Sequence, residues 1–262
     1  MLRTGGQRRI VDRYLTRTEH NSVDIAGWRG ELVEASERSS DRRIGIIQLN
    51  TQFPRLPGDI GNPATFDVPV VYRRVADAAV DTVVTKSGIS PSLAEQIRAA
   101  AHELEDAGVG VIATSCGFLG ELQSELRQAV SVPVMSSALV LLPFLRTVYG
   151  PQAMIGVLTF DARALSPHHF DGAYDESILI EGIETGQELY RVISADEPDL
   201  DPVRGEADAV AAAGRLRQRA GRLDAVILEC TNLSPYRSAI RATAGAPVFD
   251  LVQAIEWVLA AA

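Results

Sequence analysis

Short apolar runs alternate with helical patterns along this 262-residue chain, its two halves repeat one another, and each half places one cysteine at the same point. These observations predict an α/β fold of two similar halves, each a parallel sheet with helices on both faces. Composition agrees, since 46% apolar and 23% charged residues are enough to bury a core without disulfide or metal staples.

Residues 1–40 carry seven arginines interspersed with acidic residues and few clustered apolar positions. They read as a polar N-terminal extension outside the main fold. Beyond Asp41 the spans Ile44 to Leu49, Asp81 to Val84, Val109 to Ala113, Ala153 to Leu158, Ile178 to Ile180 and Ala225 to Leu228 are expected as buried strands. Leu93, Ile97, Ala101 and Leu104 recur at helical spacing, with Ser90 as cap, Pro91 at the first helical position and Gly108 just past the end. Leu119, Leu122, Leu126 and Val130 form a second helical stripe. The stretch Pro54 to Pro69, rich in Pro and Gly and following the first strand, is long enough to cover a cleft.

The repeat is specific. Ile44-Gly45-Ile46-Ile47 returns as Ile155-Gly156-Val157-Leu158, 111 positions later. Cys116 follows Gly45 by 71 residues and Cys230 follows Gly156 by 74, each ending an apolar run. Each cysteine is followed by Leu at +3 (Leu119, Leu233), Arg at +11 (Arg127, Arg241) and Pro-Val from +17 (Pro133-Val134, Pro247-Val248). Cys116 and Cys230 are therefore structural counterparts. In open parallel sheets ligands bind beyond the carboxyl ends of the strands, where both thiols fall. Halves that face each other would oppose the two thiols across one cleft. A helix N-terminus beside each would favour thiolate and draw the thiol toward neutrality. Two acid/base groups on opposite faces of one carbon allow one to remove a proton while the other supplies one, which inverts that carbon.

Charge and composition exclude other classes. The formal net charge is −9, which disfavours nucleic acid as a partner. The two cysteines and four histidines show no metal-ligand spacing, so no metal is expected. Lys86 is the only lysine and the one candidate for a Schiff base. The apolar run near Ser137 to Leu145 is too short to span a membrane, and the N-terminus lacks signal-peptide order. A soluble cytoplasmic protein with both thiols reduced is the expectation.

The segments VIATSCGFLGEL and VILECTNLSPY, one cysteine in each, resemble the two signature motifs of the aspartate/glutamate racemase superfamily. That group includes aspartate, glutamate and hydantoin racemases, maleate isomerase and arylmalonate decarboxylase. The resemblance covers about residues 41–262. It implies two pseudo-symmetric Rossmann-like (flavodoxin-like) domains with the active site between them: residues 41–138 plus 245–262 as the first and 139–244 as the second. It also implies a homodimer, no cofactor, and a small carboxylate as substrate. Carried over, Cys116 and Cys230 are the acid/base pair, and Gly117, Phe118, Thr231 and Asn232 hold the substrate carboxylate. Strand-end polar residues Asn50, Ser87 and Thr159 are further substrate-binding candidates.

Two departures stand out. Gly117-Phe118 occupies positions where amino-acid racemases typically show Asn-Thr, which favours a less polar or larger substrate, unless Phe118 simply packs behind the loop. Glu229 precedes the second cysteine where glycine is common. It either raises Cys230 by like-charge repulsion or, the reading preferred here, faces away from the cleft. His168 and His169 read as surface residues. The activity these features imply is a cofactor-independent racemase or epimerase working next to a carboxylate or carbonyl. A maleate-isomerase-like or arylmalonate-decarboxylase-like enzyme, and a catalytically silent binding module, are the alternatives.

Overall fold

The computed structural model describes residues 43–261, so the expected N-terminal extension lies outside the described residues. The chain runs β1 (Ile44–Leu49), β2 (Val70–Val75), α1 (Val80–Val83), α2 (Pro91–Asp106), β3 (Val111–Thr114), α3 (Gln123–Ala129), β4 (Val134–Met135) and α4 (Leu142–Tyr149). A second round follows: β5 (Ile155–Thr159), β6 (Leu179–Gly182), α5 (Leu189–Ser194), α6 (Pro202–Ala220), β7 (Ala225–Leu228), α7 (Arg237–Ala244), β8 (Val248–Asp250) and α8 (Leu251–Ala261).

Each round forms a four-stranded sheet, in the orders β2-β1-β3-β4 and β6-β5-β7-β8, with every pair parallel. The identical order is the structural form of the sequence repeat. The shared Ile-Gly pair has a packing cause, because each glycine lies where a helix crosses its sheet. A Cβ on Gly45 would meet Val109 at 3.0 Å and Leu104 of α2 at 3.2 Å, and one on Gly156 would meet Leu216 of α6 at 2.6 Å. Burial follows the same plan, with β3, β5 and β7 buried along their whole length. α8 packs against both β3 and β8.

The first helical stripe is α2 as expected, with the Ser90 hydroxyl accepting from the Leu93 N–H at 3.2 Å and Pro91 at the first helical position. The expected strand Asp81 to Val84 is instead the short helix α1, and the second strand is Val70–Val75. A four-residue run with three β-branched residues cannot be assigned to helix or strand by periodicity. Here the Thr82 hydroxyl takes the Ala79 N–H at 2.9 Å and closes a helical turn. The true strand pairs only with β1, exposes Arg74 and so lacks the continuous apolar run of a central strand. Among the described residues no helix is long and apolar enough to cross a membrane.

Candidate active site

β3 and β7 end in equivalent ways. Ser115 and Cys116 follow β3, Glu229 and Cys230 follow β7, and each cysteine opens a six-residue 3-10 turn, Gly117–Leu122 and Thr231–Tyr236. Both cysteines are free and line one pocket of about 340 Å³ of atom-free space. The two halves are laced together at its base. The Thr231 hydroxyl donates to the Ser115 carbonyl at 2.9 Å, and Asn232 Nδ2 donates to Asp59 at 2.6 Å.

Four of the seven expected binding residues, Gly117, Phe118, Thr231 and Asn232, line this pocket with the two cysteines. The other three do not. Asn50 is exposed and donates to the Ala76 carbonyl at 3.0 Å, which pins the chain after β1. Ser87 is exposed in the loop between α1 and α2, because the strand it was expected to follow is a helix. Thr159 is buried beneath the pocket and donates to Glu229 Oε2 at 2.6 Å, so it serves a carboxyl of the protein.

Glu229 corrects the preferred reading that it faces away. It is fully buried, lines the pocket, and its Oε1 has no hydrogen-bond partner. Oε1 and the Glu229 carbonyl crowd Gly117 so closely that no side chain fits there. Glycine at the first motif is thus matched to glutamate at the second. The signal was present as a lone charge in an otherwise apolar strand end.

Of the Pro54 to Pro69 stretch only Arg55 reaches this pocket, and the loop after β1 contributes residues that sequence reasoning did not single out. Phe53 and Arg55 line the pocket, with the guanidinium carbon 4.4 Å from the Phe53 ring centroid. Arg55 pairs with Asp59 at 3.3 Å, and their side chains are 9% and 1% exposed. Phe160 of the second half completes the aromatic wall. Arg55 is the one basic residue of the Pro54 to Pro69 stretch, which is the clue the sequence offered.

Electrostatics correct the expectation of thiols drawn toward neutrality. Burial, and next the charge of Glu229, push the Cys116 thiol up to about 12, against the opposing pull of the Phe118 and Leu119 N–H groups and Arg55. The same two causes hold Cys230 well above the ordinary thiol value. The 3-10 turns supply only one or two N–H groups to each sulfur, which desolvation outweighs. Glu229 itself is pushed up to about 7 by burial, with the Thr159 hydroxyl and the Phe160 N–H opposing. Burial and the charge of Glu229 thus both favour the protonated form of the two thiols.

His168 is exposed as expected, whereas His169 departs from expectation. His169 is fully buried, its ring edge against Phe118 at 4.9 Å, and with Glu121 and His168 it brings three ligand-type atoms within 4.8 Å of one another. The Ser166 N–H donates to His169 Nδ1 at 3.0 Å.

No protein-family model matches the chain. A dimethylsulfoniopropionate lyase of Durusdinium sp. clade D is 31% identical over 218 residues, covering 80% of this chain and 71% of that protein. Dimethylsulfoniopropionate lyase 3 of Emiliania huxleyi (strain CCMP1516) is 29% identical over 231 residues, covering 83% of this chain and 59% of the relative. Among solved structures, the Gly74Cys mutant of arylmalonate decarboxylase superposes with a TM-score of 0.55 at 18% identity, covering 84% of this chain and 92% of that one. Glutamate racemase from Francisella tularensis subsp. tularensis SCHU S4 gives a TM-score of 0.50 at 12% identity, covering 85% and 81%. The two-sheet α/β fold stands as the sequence implied, and these solved structures share it. The expected racemase or epimerase activity, and with it the isomerase class, is corrected, because the relatives closest in sequence among these are named as lyases. The motifs misled for a physical reason: a thiol pair serves proton transfer whichever bond then breaks.

Proposed function

Because the chain belongs to the dimethylsulfoniopropionate lyase family of the aspartate/glutamate racemase superfamily, we propose that it cleaves a β-sulfonio carboxylate of that type by elimination, with a thiol of the Cys116–Cys230 pair as base. The observation that carries this reading is the pair of free cysteines at equivalent strand ends of one aromatic-walled pocket.

The substrate itself supplies a positive charge. A sulfonium next to the thiols is an opposite charge, which favours thiolate against the desolvation that raises both sulfurs. Phe53, Phe118 and Phe160 line the pocket, and aromatic rings bind onium groups. The thiolate takes the proton from the α-carbon, the C–H electron pair becomes the Cα–Cβ double bond, and the Cβ–S bond breaks with its electrons leaving on sulfur. The products are dimethyl sulfide and acrylate, and the thiol returns its proton to solvent.

Elimination removes one proton and returns none to the substrate, so the two cysteines need not be equivalent as they would be in racemisation. The test is headspace detection of dimethyl sulfide from dimethylsulfoniopropionate with wild type, Cys116→Ala and Cys230→Ala. One variant is expected to lose about 10³-fold or more in kcat/KM and the other to retain measurable activity. No sulfide from the wild-type protein at millimolar substrate refutes the reading.

A further inference from the structure

Among the described residues Arg55 is the one basic side chain lining the pocket, and its hydrogen bonds to them are unevenly filled. Nη1 is committed to Asp59, at 3.3 and 3.5 Å from the two carboxylate oxygens. Nη2 has a single long contact, 3.4 Å to the Thr51 hydroxyl, and Nε is buried with no partner at all. Nε and Nη2 form one edge of the guanidinium, the edge that grips a carboxylate with two parallel N–H bonds. The edge turned to Asp59 is thus occupied and the other is short of acceptors. The side chain is held for this purpose: Phe53 stacks on the guanidinium, Asp59 anchors it, and Asp59 is itself fixed by the Gly61 N–H at 2.7 Å and by Asn232 from the second half.

We propose that Arg55 is the subsite for the substrate carboxylate, a role that rests on the elimination reading for the identity of the substrate. Arg55 lines the same pocket as Cys116, and its charge is felt at that sulfur. A carboxylate held there puts the adjacent α-carbon, the one that loses its proton, beside the thiols. Negative charge that develops on the α-carbon spreads into the carboxylate oxygens, so the same contact strengthens as the proton leaves. The Arg55–Asp59 pair also explains how a loop of Pro and Gly holds a cation in a buried place: the pair enters the pocket neutral, and the incoming carboxylate completes the donors that Asp59 leaves empty.

The test uses two variants and two ligands. Arg55→Lys keeps the charge but removes the fork, and the double variant Arg55→Met/Asp59→Asn removes the pair together, so that neither leaves an unpaired buried carboxylate. With dimethylsulfoniopropionate, kcat/KM is expected to fall about 100-fold or more in both, while the loss with the corresponding primary amide, which has no carboxylate charge, is smaller by about tenfold or more. Propionate, which has no sulfonium and does not react with thiols, gives a saturable NMR saturation-transfer signal with wild type that both variants lose. Equal propionate binding by wild type and the variants, or equal losses on acid and amide, overturns the subsite. Propionate binding that depends on Arg55 in a wild-type protein unable to release sulfide supports the subsite and refutes the elimination.

Discussion

Replacing Glu229 by Gln removes a carboxyl whose charge raises both thiols, and its effect on stability can be worked from the structure. The carboxyl is fully buried, accepts from Thr159 on one oxygen, and has no partner on the other. Burial lifts it from an ordinary 4.5 to about 7. Between those values the folded chain holds a proton that the unfolded chain has released, so raising the pH favours unfolding. The contribution is fully present below about 4.5 and is lost as the pH passes 7. A difference of about 2.5 pH units at about 1.4 kcal/mol each amounts to about 3 kcal/mol. Glutamine keeps an oxygen for Thr159 and cannot ionise. Urea unfolding of both proteins from pH 5 to pH 9 should show similar stability at the acid end and Glu229→Gln ahead by about 3 kcal/mol at the alkaline end. That corresponds to a melting temperature higher by about 6–12 °C for a domain of this size. Other titrating groups act on both proteins, so the difference curve isolates Glu229. Parallel stability curves across this range would refute the assignment of a buried, late-titrating carboxyl.

Two further substitutions probe the same junction. Thr159→Val removes the hydroxyl donor to Glu229 Oε2, so the carboxyl should climb further and stability at pH 8 should fall by about 1.5–3 kcal/mol, with a smaller loss at pH 5, read by the same unfolding assay. Gly117→Ala drives a Cβ into the Glu229 carbonyl and carboxyl oxygens, so it should cost about 1–3 kcal/mol and depress sulfide release. An alanine variant as stable and as active as wild type would show that the two motifs do not touch.

Much of the architecture was legible because it is local. The Ser90-Pro91 start of α2 and the IGIIQL strand depend on caps, proline geometry and apolar runs that a sequence displays directly. The repeat placed both cysteines at equivalent strand ends, and that placement holds. Less was legible where an element depends on its neighbours. Val70–Val75 is an edge strand whose arginines conceal it, and Asp81 to Val84 becomes helix through a single threonine hydroxyl.

Sequence alone thus determined the α/β class, the internal repeat and the matched positions of the two cysteines, since each is written in residue types at set spacings. Tertiary structure decided which polar groups reach the pocket and what charge they carry. Asn50, Ser87 and Thr159 turned elsewhere, while Glu229 and Arg55 turned in. It also reversed the expected state of the thiols, because ionisation depends on the water removed around a sulfur and on charges from distant segments. No spacing along the chain encodes either quantity.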